Sequence, residues 1–184
     1  VLHYLRETFK DYSVQYNIFG FFGLMSLIFR NVEESYSHLL YSYKHHVCFK
    51  KVEAYLRGRV IHKYHDVDKI VMYAFFPWLG VECINNIHTL LQDHHPCYKD
   101  LDDNKAYKLK DEVEWTEAVV DWECARFTKP DKPLNAYDTY LKYYYKSEYT
   151  GVIINTLISL GLLSVKTTDT GIVYEVTDKM DDFK

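Results

Sequence analysis

Residues 38–69 read HLLYSYKHHVCFKKVEAYLRGRVIHKYHDVDK, a stretch that combines a helical periodicity with an unusual density of histidine. Its apolar side chains recur at spacings of three and four residues, as on one face of an α-helix. This stripe consists of Leu39, Leu40, Tyr43, Val47, Cys48, Val52, Tyr55 and Leu56. Asn31 is a suitable N-cap before the stripe, and Gly58 is a suitable break after it. The pattern therefore predicts a long helix over residues 31–59.

The remainder of the chain shows the same periodicity in several shorter segments. Apolar spacing predicts further helices over residues 80–92, 112–127, 137–149 and 152–163, and residues 69–76 form an apolar segment that stops at Pro77. The polar, lysine- and aspartate-rich stretch 97–111 predicts an exposed loop. Near the end of the chain, two short β-prone segments flank the turn Asp169-Thr170-Gly171, which is typical of a β-hairpin.

These patterns together predict the fold class. We expect an all-α helical bundle with a small C-terminal β-hairpin. The change of pattern near residue 150 suggests a helical domain over residues 1–150 and an appendage over 151–184, which contains the last helix and the hairpin.

Composition excludes several classes of protein. A net charge of −4 argues against a broad surface for nucleic acid. The four cysteines form no CxxC pair, so we expect reduced thiols in an intracellular, cytoplasmic protein. The longest apolar run, Ile18–Phe29, is too short for a bilayer, which takes about 20 apolar residues. We therefore expect no membrane partner.

Histidine is concentrated in one part of the chain. Eight of the nine histidines fall between His38 and His95. His65 and Asp66 are adjacent, so an imidazole nitrogen and a carboxylate oxygen are both available at the end of a predicted segment. Mixed ligands of this type suit Mn, Fe, Co, Ni, Zn or Mg rather than an ion that prefers thiolates.

Further candidate ligands lie on separate predicted helices on both sides of this pair. His46 precedes His65 by 19 residues, and His45 is an equally plausible choice at that position. His88 and the pair His94-His95 follow downstream. Asp121 lies on the helix predicted over residues 112–127. Along the chain, the candidate ligands therefore occur in the order of one His, an adjacent His-Asp pair, further His residues, and one Asp.

At this point the chain resembles a known family. The pattern His46…His65-Asp66-x-x-Lys69…Asp121 is similar to the HD superfamily of metal-dependent phosphohydrolases. The elements His94-His95-Pro96 and Asp121-Trp122 are similar to a bacterial and phage branch with an HDxSK…HHP…DW layout. The resemblance covers residues 38 to 127, and Asp68 stands where that branch often has serine.

The resemblance implies a site and a mechanism. One divalent metal ion would be held by His46, His65, Asp66 and Asp121. If two ions bind, Asp66 would bridge them, and His88 with His94 or His95 would hold the second. Lys69 would bring its positive charge to phosphate oxygens. Glu117, which lies one helical turn before Asp121, would orient one of the metal ligands.

The expected function is hydrolysis of a small phosphorylated substrate, possibly a nucleotide, by a divalent-metal-dependent phosphoric ester hydrolase. The alternatives are an HD-like binding or structural protein without turnover, and a nucleic-acid-associated factor that uses the C-terminal hairpin. The acidic residues after the hairpin make nucleic acid the less favoured partner. The sequence leaves open the substrate, the metal, the choice between His45 and His46, and whether the chain forms a homo-oligomer.

Overall fold

The computed structural model describes residues 18–95, 97–99, 105–107, 111–129, 134–169 and 171–183. These residues are mainly helical, with a two-stranded antiparallel hairpin near the C-terminus. The predicted fold class is therefore confirmed. A membrane span would need a longer or more apolar helix than any in the described part of the chain.

The described helices follow one another along the chain. They are α1 (Ile18–Arg57), α2 (Val67–Phe75), α3 (Val81–Leu91), α4 (Glu112–Thr128), α5 (Ala136–Tyr143) and α6 (Thr150–Ser159), with a 3₁₀ turn at Pro77–Leu79. The N-cap predicted at Asn31 is wrong, because α1 runs through this position. Asn31 instead donates a hydrogen bond from Nδ2 to the carbonyl oxygen of Trp78, at 3.1 Å.

The strands form two separate antiparallel pairs. β1 (Cys97–Lys99) pairs with β2 (Lys105–Tyr107), where the sequence predicted only a loop. β3 (Leu163–Thr168) pairs with β4 (Gly171–Val176), in a register that sets Leu163 opposite Val176. This second pair is the predicted C-terminal hairpin.

Contacts between residues divide the chain into two compact units. Unit 1 falls within Val1–Tyr43 and Asp66–Lys108, and unit 2 falls within Lys44–His65 and Leu109–Lys184. The division therefore crosses α1 and the His65-Asp66 peptide bond. The domain boundary that the sequence suggests at residue 150 stays a prediction, although α6 contributes Ile153 and Leu157 to the core of unit 2.

The core of unit 2 is built on α4, which contacts both α5 and α6. α4 starts with a capping box. The Asp111 side chain accepts a hydrogen bond from the backbone N–H of Glu114, and the Glu114 side chain accepts one from the backbone N–H of Asp111. Its buried apolar residues pack with those of α1, α5 and α6, including Phe49, Val52, Trp115, Val119, Val120, Tyr140, Ile153 and Leu157. This packing sets the positions of the polar residues on α1 and α4.

Unit 1 is organised around the turn between α2 and α3. The Tyr73 hydroxyl on α2 donates to Asn85 Oδ1 on α3, at 3.2 Å. Gly80, the N-cap of α3, has φ +77°, and a Cβ there would lie 3.0 Å from Asn31 Nδ2. A side chain at this position would therefore be strained and would displace Asn31.

Glu53 is a fully buried carboxylate inside unit 2. It accepts hydrogen bonds from the backbone N–H groups of Ile61 and His62 and from His62 Nδ1. Burial raises the pKa of Glu53, but these hydrogen bonds outweigh burial, and the pKa lies below its ordinary value of 4.5. Glu53 therefore stabilises the fold in its ionised form.

A carboxyl group whose pKa is lower in the folded chain than in the unfolded chain stabilises the fold at pH values above its unfolded pKa. This stabilisation is lost as the pH falls through the pKa that the group has in the folded chain. We expect Glu53→Gln to lower the free energy of unfolding at pH 7 by about 1–3 kcal/mol. The deficit should shrink below pH 4.5, as measured by urea unfolding across pH 3–7. The exposed Glu148→Gln is the matched control. A deficit that does not change with pH would contradict this account.

Candidate metal centre

Three side chains converge inside unit 2: His45 on α1, His65 at the end of the segment that follows α1, and Asp121 on α4. We call them the Asp121 cluster, and their candidate ligand atoms all lie within 4.8 Å of one another. Asp121 Oδ1 is 2.7 Å from His45 Nε2 and 3.5 Å from His65 Nε2. Two ligand atoms each about 2.1 Å from one ion, at a right angle, are about 3 Å apart. The spacing therefore fits a divalent cation with little rearrangement.

Hydrogen bonds fix which nitrogen of His45 faces Asp121. The Thr128 hydroxyl lies 2.9 Å from His45 Nδ1 and also donates to the carbonyl oxygen of Cys124, at 3.3 Å. Nε2 therefore faces Asp121 Oδ1, at 2.7 Å, and donates to it, and a metal ion bound here would take the place of that proton. The Cys124 thiol donates to the His45 carbonyl, at 3.6 Å.

His65 is oriented in the same manner by a carboxylate. Its Nδ1 donates to Glu117 Oε1, at 3.0 Å, which turns Nε2 toward Asp121. The ring also stacks on Phe49, with centroids 3.7 Å apart and an interplanar angle of 14°. A carboxylate behind a histidine is the usual support of a metal ligand, because it fixes the tautomer and raises the basicity of the ring.

The electrostatics of the cluster keep Asp121 ionised. Burial raises the pKa of Asp121, but hydrogen bonds and positive charge from His45 and His65 together hold it well below its ordinary value. An anionic oxygen beside two imidazole nitrogens is a ligand set that divalent metal ions accept.

His46 lies beside this cluster and makes a different contact. Its Nδ1 donates to the backbone carbonyl of His65, at 2.6 Å. Of the two histidines that the sequence left open, His45 is the one whose ring joins His65 and Asp121. His46 instead holds the backbone that carries His65.

A second group, the Asp66 cluster, lies inside unit 1 and consists of Asp66, His88, His94 and His95. Asp66 Oδ1 is 3.1 Å from His88 Nε2 and 3.6 Å from His94 Nε2. One nitrogen of each of the three histidines lies within 4.8 Å of the others. Asp66, His88 and His94 are buried, with 4%, 0% and 2% of their surface exposed.

Asp68 holds His88 from the opposite side of the ring. His88 Nδ1 donates to Asp68 Oδ2, at 2.8 Å. Burial raises the pKa of Asp68, but this hydrogen bond and the charge of His88 outweigh burial and leave the pKa lowered. His88 Nε2 then points toward Asp66 and makes no hydrogen bond among the described residues. A buried imidazole nitrogen aimed at a carboxylate in this way fits a shared cation.

The backbone of Asp66 is also unusual. It is the N-cap of α2 with φ 59° and ψ 10°, a left-handed conformation, and its side chain does not cap the helix. Asp tolerates this conformation better than most residues, but it still costs about 1 kcal/mol. The carboxylate instead accepts from Lys69 Nζ at Oδ2, at 3.1 Å, which leaves Oδ1 facing His88.

The sequence-based candidates are thus distributed between two groups. His65 and Asp121 meet in unit 2 with His45, and Glu117 contacts His65. Asp66, His88, His94 and His95 belong to unit 1, where Lys69 contacts Asp66. Each group could hold a metal ion.

Comparison with family models, with curated proteins and with solved structures finds no match for this chain. The chemistry of the site is therefore argued from its own residues.

Sequence reasoning did not identify two supporting residues, namely Asp68 and Thr128. Asp68 precedes His88 by 20 positions and Thr128 follows His45 by 83. No local pattern signals contacts at such separations, because they depend on the packing of helices.

Proposed function

We propose that the chain is a divalent-metal-dependent phosphohydrolase of the HD type, acting on a phosphate ester. The observation that carries the proposal is the convergence of His45, His65 and Asp121. Each imidazole in this cluster presents Nε2 to the same carboxylate oxygen. Glu117 supports His65 from behind, as expected of a metal ligand rather than of a core histidine.

The proposed chemistry needs few protein groups. His45, His65 and Asp121 would hold the ion and leave further coordination positions open. A bound divalent ion would supply Lewis-acid chemistry, which acidifies water and polarises a phosphoryl oxygen. Thr128 and Glu117 contact the Nδ1 atoms of the two histidines and so hold both rings with Nε2 facing Asp121.

We assign a second ion to the Asp66 cluster. Three imidazoles and one carboxylate favour Mn, Fe, Co, Ni or Zn over Mg, which prefers an all-oxygen shell. Asp68 fixes the tautomer of His88 by accepting a hydrogen bond from its Nδ1. The serine that the similar branch often has at this position carries no charge. Lys69 is our candidate for contact with a phosphate oxygen, and its ammonium group binds Asp66.

We propose a nucleotide or another small phosphate ester as substrate, and the cytoplasm as location. Cys48, Cys83 and Cys124 are free thiols, which is typical of a reducing compartment. The hairpin offers little to nucleic acid, because its only lysine, Lys166, forms an ion pair with Glu175 on the opposite strand.

The proposal is tested by a hydrolysis screen with Mn²⁺. The substrates are nucleoside mono- and triphosphates, cyclic nucleotides and p-nitrophenyl phosphate. We expect turnover of at least one class that stops when a chelator is added and returns with Mn²⁺. A protein that binds Mn²⁺ but hydrolyses none of them would favour the binding or structural alternative.

A further inference from the structure

The exposed face of α1 within unit 1 is apolar. Five large side chains recur along it at spacings of three and four residues, and each residue is between 38% and 67% exposed. We call them the Tyr36 stripe, which consists of Phe29, Val32, Tyr36, Leu40 and Tyr43. Since successive helical residues point about 100° apart, the five side chains fall within a band about 80° wide. The stripe is therefore one continuous surface along about four turns of helix.

Another side of α1 packs on the rest of unit 1, and it does so through polar groups. Asn31 donates to the carbonyl oxygen of Trp78, and the buried Ser35 hydroxyl donates to that of Pro77, at 2.9 Å. A surface helix ordinarily turns its apolar side inward and its polar side to water. In α1 the Tyr36 stripe faces outward instead. A contiguous exposed apolar patch of this kind is typical of a surface that a partner covers.

The spacing of the stripe is symmetric about Tyr36. Phe29 and Tyr43 lie seven positions before and after it, and Val32 and Leu40 lie four positions before and after it. Two copies of α1 that run antiparallel about a two-fold axis at Tyr36 would therefore pair apolar side chains along the whole stripe. Tyr36 would meet Tyr36 of the second copy, Val32 would meet Leu40, and Phe29 would meet Tyr43. A patch that meets itself in this way is the usual interface of a two-fold symmetric dimer.

The area of the stripe fits such a dimer. An aromatic side chain that becomes fully buried removes about 150–250 Å² from water. At the observed exposure, the three aromatic residues together with Val32 and Leu40 offer roughly 500 Å² per chain. Two chains would therefore bury roughly 1,000 Å², the size at which specific interfaces begin. All positions in the band between residues 29 and 43 are uncharged, so no like charges would meet within the stripe.

The charges beside the stripe favour a protein partner over a lipid surface. The exposed neighbours Glu33 and Glu34 are acidic, and Arg30 forms an ion pair with Glu34, at 3.9 Å. Helices that lie on anionic membranes instead carry Lys and Arg beside their apolar side. The helix dipole favours the antiparallel direction, because parallel helices would set like partial charges side by side at both ends.

We propose that the Tyr36 stripe is the contact surface for a second copy of this chain, with the two α1 helices packed antiparallel about a two-fold axis at Tyr36. Tyrosine suits such a surface, because its ring is apolar while its hydroxyl can reach water at the rim of the interface. The proposal goes beyond the proposed function and depends on neither metal binding nor hydrolysis.

Sedimentation equilibrium of the full chain between about 1 and 100 µM tests the proposal. We expect a reversible equilibrium between monomer and dimer with a Kd on the order of 10 µM, because an interface of this size lies at the weak end of specific ones. Tyr36→Glu would set two carboxylates against each other at the axis. It should raise the Kd at least ~100-fold, because like charges across an interface are costly.

The matched control is Ile172→Glu on β4. Ile172 is 63% exposed, against 64% for Tyr36, and it lies outside the stripe. This variant should keep the Kd of the wild type. Both substitutions are at exposed positions, so at about 1 µM each variant should melt within about 3 °C of the wild type.

A charge exchange tests the direction of the helices. Val32→Glu and Leu40→Lys should each raise the Kd at least ~10-fold, because each places a charge against an apolar side chain. In the antiparallel dimer the new glutamate of one copy meets the new lysine of the other. The double variant should therefore dimerise more tightly than either single variant. In a parallel dimer like charges would meet at both positions, and the double variant would be the weakest.

A wild-type chain that stays monomeric at about 100 µM would overturn the proposal. A folded Tyr36→Glu variant with the Kd of the wild type would also overturn it, and a double variant weaker than both single variants would exclude the antiparallel arrangement. None of these measurements needs metal or substrate. A failed hydrolysis screen therefore leaves the dimer standing, and a monomeric chain leaves the hydrolase standing.

Discussion

Asp121→Asn is expected to remove metal binding by the Asp121 cluster and to lower Mn²⁺-dependent hydrolysis at least ~100-fold, because loss even of a residue that only supports a ligand costs about 10–100-fold. The amide keeps the shape of the side chain and an oxygen that accepts from His45. It removes the negative charge that the ion requires. Metal content by elemental analysis and turnover with the best substrate of the screen measure the two effects.

The matched control for this variant is Asp182→Asn, because Asp182 is exposed and lies outside both clusters. It should retain the metal content and turnover of the wild type. If Asp121→Asn is folded and retains its full metal content and activity, the Asp121 cluster is not a metal centre.

Asp66→Asn is expected to lower metal content and Mn²⁺-dependent hydrolysis by a similar amount, because it disrupts the Asp66 cluster in unit 1. Asp66 is the only acidic member of its cluster, and its Oδ1 faces both His88 and His94. Without this charge, three neutral imidazoles would have to hold the second ion, so we expect one fewer metal equivalent and at least ~100-fold slower hydrolysis. Elemental analysis and kinetics again provide the measurements.

Asparagine is the appropriate substitution here because the backbone of Asp66 is left-handed, with φ 59°. Asn adopts this conformation readily, whereas Ala would add strain of about 1 kcal/mol and confuse loss of a ligand with loss of structure. Unchanged metal content and turnover in a folded Asp66→Asn protein would exclude the Asp66 cluster from the mechanism.

Most of the fold was predictable because it follows from local patterns. Helical periodicity predicted the bounds of α3 and α4 to within one residue. Asn135 caps α5, as its residue type predicts, and its side chain accepts a hydrogen bond from the Asp138 N–H at 2.8 Å. The start of α1 was not predictable in this way. Asn31 has the residue type of an N-cap, but its side chain is used in a contact with Trp78, 47 positions away.

The candidate site was predictable only as a set of residue types. The sequence indicated the histidines and acids that form the clusters, but it could not choose between His45 and His46, which are adjacent on one helix. Successive helical residues point about 100° apart, so the packing of α1 against α4 decides which ring meets Asp121. The supporting contacts of Asp68 and Thr128 depend in the same way on tertiary structure.

The most direct test is X-ray diffraction at the manganese absorption edge from crystals of the protein grown with Mn²⁺. We expect an anomalous peak about 2.1–2.3 Å from His45 Nε2, His65 Nε2 and Asp121 Oδ1. Density that shows these three side chains together with no peak between them, or that shows them apart, would contradict the assignment of a metal centre to this cluster.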